Sequence, residues 1–133
     1  MISDVRDRGV PWVQTILKFG ADVSDLNVSW TGRLSVLFAY LLVSTFILAL
    51  IYPVAGMVAA AALGGFVAVN WRFLRFFLAE RGWIFALRVL PFHIVHHLCN
   101  GVSLATGTAL WLAQRLMGWR TRWTVPADPW PKR

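Results

Sequence analysis

Charged side chains are scarce in this sequence, and acidic ones are the scarcest. Asp, Glu, Lys and Arg make up 14% of the 133 residues, against about 25% in soluble domains, whereas 58% are hydrophobic. Long stretches carry no charge at all, which is typical of segments that face lipid. The six acidic residues include no pair in an apolar setting, so no carboxylate pair for acid–base catalysis is predicted.

Cysteine is nearly absent, since Cys99 is the single one in the chain. It can form neither an intrachain disulfide nor a cysteine-based zinc site, and we predict no metal centre. The serines lack a nucleophile motif, so no catalytic residue is predicted either. Residues 1–20 mix acids and bases and contain no hydrophobic core, so they are not expected to form a signal peptide.

Basic residues are in excess, and their positions indicate what they contact. The net charge is +7 and the pI about 11.1, but no nucleic-acid-binding motif accompanies this charge. The basic residues flank the apolar runs, as expected for contacts with anionic headgroups and for determinants of topology. Membrane lipids are therefore predicted partners, and nucleic acid is not.

Two uncharged runs predict a transmembrane hairpin at residues 34–71. Residues 34–52 and 54–70 are each long enough to cross roughly 30 Å of hydrocarbon as a helix. Pro53 interrupts them, and the short connection requires the two helices to be antiparallel neighbours. Small residues would allow close packing between lipid-embedded helices. The predicted packing residues are Ala60, Ala61, Gly64 and Gly65.

Residues 72–90 alternate arginines with aromatic residues, a pattern that favours an interfacial amphipathic helix or helix pair. Gly82 is expected to break this segment, and Pro91 to mark the next helix boundary. The arginines are candidates for binding a lipid phosphate, although a basic belt on anionic lipid is the simpler interpretation. These arginines are Arg72, Arg75, Arg81 and Arg88.

Residues 91–118 form a third apolar segment, which could either span the membrane or re-enter on the same side. We therefore predict an all-α, membrane-embedded fold class. Before the hairpin, residues 1–33 are expected to be cytoplasmic or interfacial, with a short amphipathic helix that begins at Pro11. After the third segment, residues 119–133 are expected to form an irregular tail.

Three histidines near the start of the third segment carry the most distinctive chemistry. His93, His96 and His97 share helical faces, and neutral imidazole can bind haem iron, the magnesium of a chlorophyll-type pigment, or zinc. The alternative is interfacial or interhelical hydrogen bonding. A bis-histidine haem would need a ligand from another helix, and the chain has three histidines in all. No cofactor is predicted, with haem or pigment binding as the alternative.

Several short motifs, in order, resemble the C-terminal membrane region of bacterial family 2 glycosyltransferases. They are Arg8-Gly9-Val10-Pro11-Trp12, Asp25-Leu26-Asn27-Val28, Arg33-Leu34-Ser35-Val36, Asn70-Trp71-Arg72-Phe73, Arg81-Gly82-Trp83-Ile84-Phe85-Ala86-Leu87, Pro91-Phe92-His93 and Asn100-Gly101. The resemblance implies a membrane anchor without its catalytic domain, so the chain is not expected to be an enzyme without a partner chain. His96 and His97 stand where that family has an aromatic pair.

The leading functional hypothesis is a non-catalytic module of the bacterial inner membrane that positions a catalytic partner or a lipid-linked substrate. Since the hairpin turn lacks Lys and Arg while both its ends carry them, a cytoplasmic N-terminus is predicted for this multi-pass chain. The alternative hypothesis is a small accessory subunit of a larger respiratory or photosynthetic membrane complex. Under both hypotheses, other membrane proteins are expected partners.

Overall fold

The described part of the chain is helical, as the sequence predicts. A computed structural model describes residues 5–19 and 30–118, and it contains no strand within those ranges. A π-helical turn at Val5–Gly9 precedes the first α-helix. The α-helices are α1 (Val10–Phe19), α2 (Trp30–Ala49), α3 (Ala55–Val69), α4 (Trp71–Arg81) and α5 (Trp83–Met117).

Helix α1 has Pro11 in its first turn, a position at which proline is favoured. Its predicted apolar face is only partly buried, because Val13 is buried while Trp12 and Leu17 are exposed. Gln14 is buried beside Val13 instead.

Helices α2 and α3 form an antiparallel hairpin. Ala49 lies against Gly56, Phe38 against Gly65, and Ser35 bonds to Asn70. Earlier residues of α2 therefore contact later residues of α3, which is the pattern of antiparallel helices. The connection at residues 50–54 is closed by short-range backbone bonds such as Tyr52 N–H to Leu48 O, at 2.9 Å. The hairpin is therefore held by contacts along the whole length of α3.

The buried row of α3 differs from the predicted packing residues. Buried positions recur every three or four residues, so they form one stripe on the helix. These are Ala55, Ala59, Ala62 and Phe66. Gly65 lies beside this stripe against Phe38, but Ala60, Ala61 and Gly64 are exposed. The prediction of a packing role inside the hairpin is therefore wrong for these three, because small size does not by itself specify which side of a helix faces its partner.

The predicted pair of membrane spans is reproduced in part. Helix α2, Trp30–Ala49, is the one described helix that is long and apolar enough to cross a membrane. Its 20 residues correspond to about 30 Å. Helix α3 has 15 residues, about 22 Å, and the chain then bends by 76° into α4. Neither α3 nor α5 meets the criterion by itself.

Gly82 separates α4 from α5, which confirms the predicted break. Its φ of +80° lies in the region that favours glycine, and its N–H donates to Leu78 O at 3.1 Å. The predicted helix boundary at Pro91 is wrong, since α5 runs through it without interruption. Proline removes one backbone hydrogen bond to the preceding turn, and a helix can absorb that loss when neighbouring groups support it. The predicted division between residues 72–90 and 91–118 therefore falls inside α5.

The described residues fall into two compact units. One contains residues 30–98, and in it Tyr40 of α2 donates its hydroxyl hydrogen to Leu98 O of α5, at 2.9 Å. The other contains residues 5–19 together with 99–118. In this second unit α1 approaches Gly107 of α5 so closely that an added Cβ would lie 2.6 Å from Val13 Cβ. The expected irregular tail at residues 119–133 lies outside the described residues.

Candidate functional site

Four polar side chains from different helices meet in the unit formed by residues 30–98. They come from α2, from the junction of α3 with α4, and from α5. We call Ser35, Asn70, His93 and His97 the polar cluster. Ser35 is 1% exposed and His97 is 8% exposed, so these two members of the cluster are buried inside the protein. Buried polar groups are tolerated when they bond to one another, and this cluster does so across three elements.

Asn70 is the centre of the cluster because of its position at the 76° bend. Its backbone N–H bonds to Phe66 O at 3.1 Å, and its own carbonyl accepts the N–H of Leu74 at 3.0 Å. Its side-chain Nδ2 donates to Phe66 O and to Ser35 Oγ, each at 2.8 Å. These two donor bonds fix the orientation of the amide, so Oδ1 is left to accept hydrogen bonds.

Ser35 completes one side of the network. Its hydroxyl donates to Thr31 O at 2.7 Å, one helical turn earlier. A longer contact of 3.1 Å joins the same Oγ to Asn70 Oδ1. Because the hydroxyl hydrogen points to the α2 backbone, Ser35 Oγ can accept the Asn70 amide hydrogen. This exchange links the start of α2 to the end of α3.

His93 and His97, which we call the histidine pair, complete the other side. His93 Nε2 lies 2.9 Å from Asn70 Oδ1, and since that oxygen can only accept, His93 Nε2 carries the proton. His97 Nε2 lies 3.3 Å from His93 Nε2 and faces it with its lone pair. The proton of neutral His97 is then on Nδ1, a buried atom with no hydrogen-bond partner.

Two phenylalanines hold the histidine rings in place. Phe66, which is 0% exposed, meets both rings edge-on with centroids 5.6 Å away in each case. Phe73 stacks on His93 with centroids 4.1 Å apart and an interplanar angle of 13°. Aromatic contacts of this kind have preferred geometries. These ring contacts therefore fix the orientations of the two imidazoles.

The three histidines predicted as possible ligands differ in how deeply they are buried. His96 is exposed, whereas His97 is buried and His93 half-buried. His96 stacks parallel to His93 at a centroid distance of 6.3 Å. Across the described residues, no group of three or more His, Cys, Asp or Glu side chains is arranged to hold a metal ion. What the structure brings together instead is two histidines, one amide and one hydroxyl.

The four candidate phosphate-binding arginines lie on two helices on either side of the Gly82 break. Each of these arginines is exposed. Arg72 and Arg75 are three residues apart at the start of α4, so they project from neighbouring positions on the helix. Arg81 lies over the Phe85 ring at 5.9 Å, a cation–π contact. Arg88 lies on α5, beyond the break.

Sequence reasoning missed two of the four members of the polar cluster. Ser35 and Asn70 occur in the sequence within short motifs, and nothing in those motifs predicts that they contact the histidines. The available signal was that each is a polar side chain at the end of an apolar helix. A polar group there needs a partner from another helix.

No protein-family model, no curated protein and no solved structure matches this chain. The resemblance to the glycosyltransferase membrane region therefore stays a prediction from short motifs.

Proposed function

We propose that this chain is a non-catalytic membrane-embedding module that positions a catalytic partner or a lipid-linked substrate at the cytoplasmic face of a bacterial inner membrane. The apolar surface of the hairpin is the observation that carries the proposal. In the most apolar stretch of α2, 11% of the residues are buried. Leu37, Phe46 and Ile47 are 61%, 64% and 59% exposed. A continuous apolar surface of this kind is typical of contact with lipid or with other membrane helices.

The ends of the helices support an interface at the level of the polar cluster. Trp30 and Arg33 stand at the start of α2, with the guanidinium 5.2 Å from the indole ring centre. Tryptophan and arginine are enriched at the boundary between lipid and water. The 76° bend after α3 turns α4 away from the hairpin axis, so α4 would lie along the membrane surface with Arg72 and Arg75 facing headgroups.

The proposed topology follows from the distribution of basic residues. The connection at residues 50–54 carries no charge, and arginines lie at the opposite end of the hairpin, on the first turn of α2 and on α4. Positive residues stay in the cytoplasm, so the connection would face outside and α4 would face inside. The hairpin would then pass through the membrane twice, with the bend at Asn70 completing the second passage.

The positioning role rests on the arginines of α4 together with the resemblance to a glycosyltransferase anchor. Arg72 and Arg75 are exposed and would lie beside lipid phosphates if α4 is interfacial. Arginine binds phosphate through a planar fork of donors. An arginine-bearing helix held at a fixed height by the hairpin would therefore present a lipid-linked substrate to an enzyme at the same surface.

Membrane insertion is tested by placing a charge in the middle of α2. Leu41→Arg changes a residue near the helix centre, and Leu50→Arg makes the same change in the connection. On an insertion scale the central change costs about 3–4 kcal/mol, whereas the change at the connection costs far less. We expect wild type and Leu50→Arg to stay in the membrane pellet after alkaline carbonate treatment, and Leu41→Arg to be released in part. Release of the wild-type chain would contradict the proposal.

Topology is tested with single cysteines in a Cys99→Ser background. Tyr52→Cys labels the connection and Glu80→Cys labels α4. A membrane-impermeant maleimide added to intact cells should modify residue 52, and it should modify residue 80 only after the membrane is opened. Equal labelling of both positions in intact cells would exclude a membrane-crossing hairpin.

Partner identity separates the module from its alternative, an accessory subunit of a respiratory or photosynthetic complex. Purification in a mild detergent, followed by mass spectrometry of bound proteins, distinguishes the two. Co-purification of a sugar-transferring catalytic chain would support the positioning role. Stoichiometric recovery within a redox or pigmented complex would replace it.

A further inference from the structure

We propose that the histidine pair and Asn70 Oδ1 form a binding site for a divalent transition-metal ion of the Zn²⁺ type. The proposal depends on the geometry of the polar cluster and not on the membrane-embedding role. His93 Nε2 lies 3.3 Å from His97 Nε2 and 2.9 Å from Asn70 Oδ1, so two imidazole nitrogens and one amide oxygen are the candidate ligand atoms.

The spacing of the histidine pair is the first argument. His93 and His97 are four residues apart on α5 and present their Nε2 atoms to one another, as two histidines do on the metal-binding helix of zinc proteases. Two nitrogens that each lie about 2.05 Å from a tetrahedral zinc ion are about 3.3 Å apart. The observed Nε2–Nε2 distance is 3.3 Å. One ion could therefore bind both nitrogens with little movement of the backbone.

Asn70 supplies the third ligand atom, an amide oxygen. Its Oδ1 lies 2.9 Å from His93 Nε2, so a shift of a few tenths of an ångström would give the roughly 3.3 Å separation of two ligands in a tetrahedral site. Its Nδ2 remains bonded to Phe66 O and Ser35 Oγ, so the amide is held in position by a second layer of contacts. Such outer contacts orient metal ligands and raise affinity.

The protonation of the pair favours His97 as a metal ligand. Its proton lies on Nδ1, so the Nε2 lone pair already points toward the site. His93 must transfer its proton from Nε2 to Nδ1, and its ring remains neutral, so binding to the neutral pair releases no net proton. The ion would replace the hydrogen bonds that now join His93 to His97 and to Asn70.

The site has an accessible side and fixed walls. His93 is half-buried, and the aromatic contacts of Phe66 and Phe73 hold the imidazole rings in place. The set of two nitrogens and one neutral oxygen suits zinc and its neighbours better than calcium or magnesium, which prefer oxygen ligands. A fourth position would be filled by water or by a group from a bound molecule, as in open zinc sites.

The test uses the full chain, purified in a mild detergent through an affinity tag without histidine. Zn²⁺ and Co²⁺ are the probes. We expect one ion per chain after free metal is removed, and visible Co²⁺ bands typical of four or five ligands. His97→Gln and His93→Gln should weaken binding by at least about tenfold. His96→Gln makes the same chemical change at the exposed neighbour and should leave binding unchanged.

Asn70 variants give a second measurement that does not depend on replacing a histidine. Asn70→Asp adds a negative charge at the proposed ligand atom and should tighten binding, whereas Asn70→Ala should weaken it. Circular dichroism and size-exclusion chromatography show which variants remain folded. Absence of stoichiometric binding by the wild-type chain would overturn the proposal. Equal loss of binding in His96→Gln and His97→Gln would also overturn it.

Discussion

Gly65 and its neighbour Gly64 give a direct test of the hairpin packing. A Cβ added to Gly65 would lie 2.5 Å from Phe38 Cε1 and 2.7 Å from Phe38 Cζ, whereas a Cβ added to Gly64 would meet nothing within 4 Å. Both residues are in the middle of α3, so both gain the same helix propensity when they become alanine. The pair therefore separates packing between α2 and α3 from the intrinsic preference of the helix.

The expected magnitudes follow from these two contributions. Replacing glycine by alanine inside a helix stabilises it by roughly 0.5–1 kcal/mol, so Gly64→Ala should be stabilising by about that amount. Overpacking a fitted contact costs about 1–3 kcal/mol, and at Gly65 this opposes the same gain. Gly65→Ala should therefore be about 1–3 kcal/mol less stable than Gly64→Ala. That difference corresponds to roughly a 5- to 150-fold change in the ratio of folded to unfolded chains.

The assay is reversible unfolding by SDS in mixed micelles, followed by circular dichroism at equal protein concentration. The close atoms belong to the Phe38 ring, so Phe38→Leu should relieve the clash. Gly65→Ala should then cost less in the Phe38→Leu background than in wild type, and a double-mutant cycle measures that coupling. If Gly65→Ala were as stable as Gly64→Ala, the two helices would not approach each other at this point.

Three further predictions use the same unfolding assay. Asn70→Ala should destabilise the chain by about 1–3 kcal/mol, because it leaves buried partners unsatisfied; Ser35→Ala should cost less, since its hydroxyl hydrogen is bonded within its own helix. A larger loss of stability for Ser35→Ala than for Asn70→Ala would contradict this expectation. Gly107→Ala should destabilise by about 1–3 kcal/mol, because the methyl would meet a β-branched valine and a backbone oxygen of α1, whereas Thr106→Ala at an exposed position should be nearly neutral. Ala39→Leu should cost about 1–3 kcal/mol, since this residue is 0% exposed; an unchanged midpoint would show that the hairpin has room there.

Helix content and breaks were predictable because they depend on local chemistry. The uncharged runs at α2 and α3 specify helices, and Gly82 specifies a break, since its φ of +80° suits no other residue as well. Pro91 was misleading for a related reason. Proline weakens a helix locally, but whether the helix ends there depends on the helices packed around it. Those tertiary contacts cannot be read from the residues next to Pro91.

Contacts between helices were harder to predict than the helices themselves. The four predicted packing residues of α3 are all small. Gly65 lies against Phe38 of α2, whereas the other three are exposed. A helix turns by about 100° per residue, so an error of one position moves the predicted face by more than a quarter of a turn. Ala60 follows Ala59 and Ala61 precedes Ala62, so each lies about 100° around the helix from a residue of the buried stripe.

The polar cluster shows why a histidine motif is insufficient to locate a site. Spacing along α5 predicts that His93 can pair with either His96 or His97, and the structure distinguishes them through Asn70, which is 23 residues away from His93 in sequence. Asn70 is at this place because α3 ends there and α4 departs at 76°. At the bend, the side-chain Oδ1 of Asn70 faces His93 of α5. Phe66 and Phe73, on the helices before and after the bend, both contact the His93 ring. A change in the bend should therefore alter the distance between Asn70 Oδ1 and His93 Nε2, so the packing of the hairpin and the environment of the histidine pair are coupled through one residue.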